Sequence, residues 1–301
     1  MSKVVLIVGP TATGKSSLGV ELAEKYNGEI INGDSVAVYE KLDIGSAKIT
    51  PQQQRGIVHH LLGYKKVEED YSVAHFQMDG RQAIEEISQK NKLPIVAGGT
   101  GLYIKALLYD YQFKAEEGEK NSYEDCSTEQ LYEMLKKVDE KSWQQIHAHN
   151  RKRIIRALQI AEGGYTKSEI EASQKHEAIY DHLLIGLTMN RDRLKERINQ
   201  RVDQMMEEGL LEEVKGLFEE YSPDLHCFSA IGYKEFRAYF TGEQTLEETV
   251  ELIKTHTRQF AKRQFTWFNN QLDINWFDVE EADYQKKIEE RIEEFIGAKE
   301  V

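Results

Sequence analysis

Short apolar runs alternate with amphipathic stretches over the first third of the chain, and that alternation predicts its architecture. Lys3-Val4-Val5-Leu6-Ile7-Val8 is an aliphatic, β-branched run closed by Gly9-Pro10, the pattern of a buried strand. From Lys15 to about Tyr26, Leu18, Leu22 and Ala23 fall on one side of a helix. Glu29-Ile30-Ile31-Asn32 and Leu93-Pro94-Ile95-Val96-Ala97 read as further strands, running into Gly33-Asp34-Ser35 and Gly98-Gly99-Thr100-Gly101. Ser72 to about Gln89 carries Phe76, Ala83, Ile84 and Ile87 at helical spacing, and a helix from Leu102 to about Tyr109 follows the third strand. Residues 41–70 read as irregular. Strands alternating with helices through glycine-marked turns imply a parallel sheet flanked by helices, an α/β fold.

The pattern changes at about Tyr111. Thr128 to about Gln174 reads as several short helices, marked by Leu131, Met134, Leu135 and Val138, then Trp143 and Ile146, then Ile154, Ile155, Leu158 and Ile160. Leu183-Leu184-Ile185-Gly186-Leu187-Thr188-Met189 returns to a buried strand. The expected organisation is a core domain of residues 1–111 and 183–301 interrupted by an all-helical insertion, 112–182. In the next helix, Asp192 to Glu208, a packed face of Leu194, Ile198, Val202 and Met205 lies beside Arg193, Arg197 and Arg201, with Gly209 as the C-cap. A helix to Tyr221, another near 246–268, a strand Ile274-Asn275-Trp276-Phe277 and an acidic terminal helix complete the chain.

Composition places this pattern in a soluble globular protein. The 301 residues are 40% hydrophobic and 30% charged, and no apolar stretch nears the roughly 18 residues of a membrane helix. With a core strand read directly after Met1, no signal peptide is expected. With two cysteines in no ligand pattern, the expected location is a reducing cytoplasm. The net charge of −13 argues mildly against a polyanion partner, but Lys and Arg concentrate in 151–156, 191–201 and 254–263, and a local basic face matters more than the net charge.

The chemistry gathers at the strand ends. Gly9-Pro10-Thr11-Ala12-Thr13-Gly14-Lys15-Ser16 is G-x-x-x-x-G-K-[ST] between a strand and a helix, where backbone N–H groups and the helix N-terminus attract phosphate. Lys15 adds a full charge, and Ser16 offers a hydroxyl to a phosphate-bound Mg²⁺. Loops at the carboxyl ends of parallel strands face one crevice, so Asp34 and the Gly98–Gly101 turn should face this loop. From position alone Asp34 is either a cap or Mg²⁺-sphere acid, or a general base. Arg201 is either a surface ion-pair partner or a phosphate clamp suited to two oxygens at once. Lys152-Arg153-Ile154-Ile155-Arg156 alternates bases with core residues, and Lys262-Arg263-Gln264-Phe265-Thr266-Trp267 interleaves bases with aromatics, both compatible with single-stranded nucleic acid. His59-His60 has no third ligand nearby and reads as structural.

These pieces together resemble the tRNA dimethylallyltransferase (tRNA isopentenyltransferase) family. The stretches that carry the resemblance are Gly9 to Ser16, Asp34-Ser35 with Val38-Tyr39, Asp43-Ile44-Gly45-Ser46-Ala47-Lys48, His59-His60, Gly98-Gly99-Thr100-Gly101-Leu102-Tyr103, Arg153-Ile154-Ile155-Arg156-Ala157-Leu158, Ile231-Gly232-Tyr233-Lys234, Ala261-Lys262-Arg263-Gln264 and Thr266-Trp267. They occur in the family's order over nearly the whole chain. The resemblance implies a P-loop NTPase-like core and transfer of the dimethylallyl group from dimethylallyl diphosphate to the exocyclic 6-amino group of the adenosine 3′-adjacent to the tRNA anticodon. It also implies Mg²⁺ as cofactor and a monomer as the working form. The loop from Gly9 to Ser16 would then hold the leaving diphosphate, Lys15 and Arg201 would stabilise its charge, Asp34 would be the general base, and Thr100 would lie near the target nucleotide. The segments matching tRNA contacts are Asp34, Ser35, Val36 and Ala37; Lys152 to Arg156; Ser229, Ala230, Ile231, Gly232, Tyr233 and Lys234; and Lys262, Arg263, Gln264, Phe265, Thr266, Trp267, Phe268 and Asn269.

The chain departs from the family pattern in places. Val36-Ala37 follows Asp34-Ser35 where a bulkier residue and Gln are usual, and Ala37 lacks an amide for the target base. Ser46 and Ile49 replace a usual Thr and Pro, Ser229 stands where Gln is common, and 112–127 is shorter. None of these touches Lys15, Asp34 or Arg201. Prenylation of a free adenine nucleotide, a P-loop kinase or ATPase, and a non-catalytic tRNA-binding module are the competing readings.

Overall fold

The computed structural model describes residues 2–111, 113, 123–173 and 177–297, and all that follows concerns those residues. They form two compact units, 1–108 with 179–301 and 109–178.

The larger unit is built on a wholly parallel sheet of six strands: β1 (Lys3–Val8), β2 (Gly28–Asn32), β3 (His59–His60), β4 (Leu93–Ala97), β5 (Asp181–Thr188) and β6 (Asn275–Asp278). Their order across the sheet is β3-β2-β4-β1-β5-β6. β1 is central, with Leu6 opposite Val96 on one side and Leu184 on the other. Val4 to Val8 are fully buried, as a strand covered on both faces requires.

Helices α1 (Lys15–Lys25), α3 (Val73–Gln89) and α4 (Gly101–Leu108) link or follow the strands, and a short helix α2 (Pro51–Gln54) precedes β3. After β5 come α9 (Arg191–Glu207), α10 (Leu210–Glu220), a 3₁₀ turn (His226–Ser229), α11 (Phe236–Phe240), α12 (Leu246–Gln271) and, after β6, α13 (Tyr284–Gly297). The acidic α13 is amphipathic, and Ile288 and Ile292 join the core formed by Val5, Ile7, Leu22 and Ile185.

Residues 41–70 are not uniformly irregular. Thr50 caps α2 with a full capping box, and His59-His60 adds an edge strand to β2. His60 Nε2 lies 2.7 Å from Glu29 Oε2, and Lys90 and Lys92 bond the same buried carboxylate. Glu29 is thereby compensated, and its pKa is held at about 2 against the opposing effect of burial. His60 thus buttresses a buried carboxylate, while His59, whose Nδ1 lies 2.9 Å from Ile57 O, lines the cavity at the strand ends. Gly209 is the left-handed N-cap of α10, with φ 102°, while Glu208 ends α9.

The smaller unit holds α5 (Thr128–Val138), α6 (Glu140–Gln145), α7 (Arg151–Glu162) and α8 (Lys167–Ser173). Its core is Tyr123, Leu131, Leu135, Ile146, Ile154, Ala157 and Leu158. Met134 and Val138, expected on the packed side of α5, are exposed. The unit's edges also fall earlier than 112 and 182. Tyr109 bridges Ala178, and β5 begins at Asp181 rather than Leu183. The 112–127 stretch lies mostly outside the described residues.

Candidate active site

The turns after β1, β2 and β4 meet at one end of the sheet. Gly33 N–H donates to Ala97 O at 2.8 Å and Gly98 N–H to Ile7 O at 3.1 Å. The contact is so close that a Cβ on Gly98 would lie 2.2 Å from Gly33 O. This approach puts Thr100 beside the Asp34 turn, and Ser35 N–H donates to Thr100 Oγ1 at 3.2 Å.

The phosphate loop takes the backbone course that its sequence requires. Gly9, Ala12 and Gly14 have positive φ of 133°, 65° and 93°, and Thr11, Ala12, Gly14, Lys15 and Ser16 line the crevice. Thr13 Oγ1 pins the loop to Pro10 O at 2.9 Å. Among the described residues, nothing accepts from the backbone N–H groups of Ala12, Thr13, Gly14, Lys15 or Ser16. Such a concave row of donors at a helix N-terminus binds anions.

Lys15, Asp34 and Arg201 line the same crevice, a cavity of about 890 Å³. Lys15 Nζ, the buried end of a partly exposed side chain, donates to Pro10 O at 2.6 Å. Burial, helped by the charge of Arg201 and opposed by Asp34, lowers its pKa to about 7. Burial also lowers the Arg201 pKa, which Asp34 pulls back up and Arg197 pushes down further. Arg201 Nη2 donates to Ala47 O at 3.4 Å. Asp34 is thus the counter-charge to both cations. Its Oδ1 accepts from Val36 N–H at 2.8 Å and Ala37 N–H at 3.2 Å. Asn32 fixes the turn from behind, donating to the carbonyls of Asp34 and Leu61. No described residue bonds Asp34 Oδ2, so one carboxylate oxygen is held and the other remains available. Arg201 is a crevice residue and not the surface ion-pair partner that its charged helix allowed.

A second cavity of about 310 Å³ shares Thr11, Asp34 and Arg201 with the first and continues it toward Ile198, Ile231 and Phe260. Met205, read as a packing residue from its spacing, lines both cavities.

The expected RNA-facing residues divide into two groups. Lys262, Arg263, Thr266 and Asn269 are exposed along one side of α12, while Phe265 and Trp267 are half-buried. Gln264 and Phe268 face inward at 6% and 0% exposure. In α7, Lys152, Arg153 and Arg156 are exposed, Ile155 is half-buried and Ile154 is wholly buried. Ser229 and Lys234 are exposed and Ala230 and Ile231 half-buried, but Gly232, Tyr233 and Ala37 are buried. Ile154, Phe268 and Tyr233 are packed beneath the surface, whereas Ala37 and Gln264 line the first cavity and Gly232 the second.

Three side chains that support the crevice were not legible as such. Gln264 Oε1 accepts from Thr11 N–H at 2.9 Å, and its Nε2 donates to Gly99 O at 2.9 Å. The Tyr233 hydroxyl donates to Glu213 Oε1. Glu213 also accepts the N–H groups of Asp43, Ile44 and Gly45. Gln264 and Tyr233 stand in the motif stretches, but Glu213 is one of several acids on α10 and carries no sequence mark.

Fold and crevice define a P-loop-like α/β protein whose glycine-rich loop shares its cavity with a carboxylate and two cationic side chains. A profile described as IPP transferase matches residues 37–271. The chain is 49% identical to the tRNA dimethylallyltransferase of Anoxybacillus flavithermus over 96% of its own length and 94% of that protein's. It is 46% identical to the tRNA dimethylallyltransferase of Enterococcus faecalis over 100% and 99%. A tRNA isopentenylpyrophosphate transferase from Bacillus halodurans superposes with a TM-score of 0.75 at 41% identity, over 99% of this chain and 96% of that one. A eukaryotic dimethylallyltransferase solved acting on tRNA gives a TM-score of 0.88 at 32% identity, over 100% of this chain and 81% of that one. The chain belongs to the IPP transferase family.

Proposed function

We propose that the protein is a tRNA dimethylallyltransferase that takes its prenyl group from dimethylallyl diphosphate. The acceptor is the exocyclic 6-amino group of the adenosine on the 3′ side of the anticodon. The observation that carries this reading is the crevice itself, where a row of unengaged N–H donors, Lys15 and Arg201 lie on the same cavity as Asp34.

The chemistry follows from where charge moves. The bond between the allylic carbon and the diphosphate oxygen breaks, and its electron pair leaves with diphosphate. Loop N–H groups, Lys15 and Arg201 face the oxygens on which that negative charge grows. The adenine amine is a poor nucleophile because its lone pair is delocalised into the ring, and as it bonds to the allylic carbon it must lose a proton to stay neutral. Asp34 accepts that proton as the new carbon–nitrogen bond forms. The anchored Oδ1 holds the carboxylate, leaving Oδ2 for the proton.

No cluster of three or more His, Cys, Asp or Glu among the described residues could hold a metal. Mg²⁺ fits here as an ion carried with the diphosphate, for which the exposed Ser16 would be the protein ligand. When bound, it would neutralise part of the leaving group's charge.

The RNA would lie across the exposed Lys262, Arg263, Thr266 and Asn269, with Lys152, Arg153 and Arg156 as further phosphate contacts. The target adenine must leave its stack to reach the crevice. The proposed setting is the cytoplasm, with a monomer as the working unit. No described helix is long and apolar enough to cross a membrane, and Cys126 and Cys227 are free.

Incubation with labelled dimethylallyl diphosphate, Mg²⁺ and either an anticodon stem-loop or AMP tests the reading. Label is expected on the stem-loop. Label on AMP alone would overturn the choice of acceptor, and ATP turnover without transfer would place the chain among phosphoryl-transfer enzymes.

A further inference from the structure

The proposed reaction joins two ligands held by different turns. The phosphate loop after β1 grips the diphosphate, and the turns after β2 and β4, with Asp34 and Thr100, face the adenine. Transfer depends on the separation of these two cradles as much as on either one, since a misplacement of about 1 Å can cost ~10²-fold in rate.

We infer that Gln264 sets this separation, a positioning role that rests on the function proposed above. Among the described residues it is the side chain hydrogen-bonded to both cradles, accepting from Thr11 N–H at 2.9 Å and donating to Gly99 O at 2.9 Å. The amide is used at both ends, so its orientation is fixed by chemistry: only the oxygen can accept from Thr11 and only the nitrogen can donate to Gly99. At 6% exposure both bonds are shielded from water that would otherwise compete for them. A Cβ on Gly99 would lie 2.2 Å from Gln264 Nε2, so the turn has no room except for this bridge.

Gln264 also takes the Thr11 N–H out of the anion cradle, leaving the donors from Ala12 onward to the phosphates. It stands on the inner side of α12, and Lys262, Arg263 and Thr266 project from the outer side of the same turns. The helix offered to RNA is therefore the helix that spaces the two halves of the site. The sequence marks Gln264 as part of a basic contact stretch, whereas its geometry is that of a strut.

Four variants of the full chain test the role: Gln264→Ala, the volume-conserving Gln264→Met, Gly99→Ala, and the double Gly99→Ala/Gln264→Ala. The measurements are the Kd for inorganic diphosphate, the Kd for an anticodon stem-loop, and the single-turnover rate of transfer from labelled dimethylallyl diphosphate at saturating substrates. Each single variant should keep both affinities within about threefold and lose at least ~10-fold in rate. The double variant should be no slower than Gln264→Ala, since the added methyl then meets an empty space. Wild-type rates in Gln264→Met and Gln264→Ala, or losses that multiply in the double variant, would overturn the role of Gln264 while leaving the transferase reading intact. A collapse of diphosphate affinity in both Gln264 variants would likewise overturn it, making Gln264 a binding residue. No transfer by the wild-type chain would instead defeat the function proposed above and the spacing role with it.

Discussion

Tyr233 donates its phenolic hydrogen to Glu213 at 2.8 Å, and through that carboxylate it holds the backbone of the crevice wall. Glu213 accepts three consecutive N–H groups, from Asp43 to Gly45. The Tyr233 ring occupies the space beside Gly45, where a Cβ would lie 2.6 Å from it. The same loop ends on Ala47, whose carbonyl receives Arg201. Glu213→Ala should strand these N–H groups and cost at least ~3 kcal/mol, since it removes four hydrogen bonds to a charged group, worth up to ~1.5–3 kcal/mol each where shielded from water. It should also raise KM for dimethylallyl diphosphate through the loosened Arg201. Tyr233→Phe removes one bond and should cost about 1 kcal/mol with little change in KM. Thermal unfolding and steady-state kinetics on the two variants check the ordering.

Lys15 gives the anion site a pH dependence. Its pKa in the free protein is lowered to about 7 by burial, with Arg201 adding to the effect. A bound polyanion favours the charged ammonium, so binding takes up a proton above that pH. Affinity for inorganic diphosphate should therefore fall as pH rises from 7 to 9 more steeply in the wild type than in Lys15→Arg, which stays charged. The difference between the two removes the ligand's own titration. Calorimetry in buffers of unlike ionisation enthalpy should register proton uptake in the wild type at pH 8 and less in Lys15→Arg; equal uptake would contradict the lowered pKa.

The two sides of α12 should separate cleanly in salt titrations. Lys262→Ala or Arg263→Ala should weaken stem-loop binding and reduce the slope of log K against log salt by about 1 each. Neither should alter diphosphate affinity much. Phe268→Ala should leave the salt slope alone and cost ~3–5 kcal/mol of stability, because its ring is buried.

Much of the scaffold is written in the order of residues. The run Val4 to Val8 and the loop Gly9 to Ser16 are contiguous, so strand, phosphate cradle and helix follow from local pattern alone. Asp34 and Thr100 were legible because strand ends in a parallel sheet converge on one edge. The two-residue strand at His59-His60 was not, since two polar residues carry no strand periodicity and Glu29 determines their place. Nor did the sequence separate the exposed residues of α12 from those packed beneath them. Lys262 and Gln264 are two positions apart, and a helix turns them to opposite environments. Glu213 was invisible for a different reason: its partners are backbone N–H groups far away in the chain, which leave no residue-type signal.

In the proposed mechanism Asp34 takes the amine proton while the loop holds the leaving diphosphate. Asp34→Asn tests it most directly. Asn keeps an Oδ1 able to accept from Val36 and Ala37, so the turn should survive while the proton acceptor is lost. Single-turnover transfer from labelled dimethylallyl diphosphate to a saturating stem-loop should fall by at least ~10²-fold, the contribution expected of a general base, with stem-loop and diphosphate affinities undiminished. A rate close to that of the wild type, at unchanged affinities, would contradict the account.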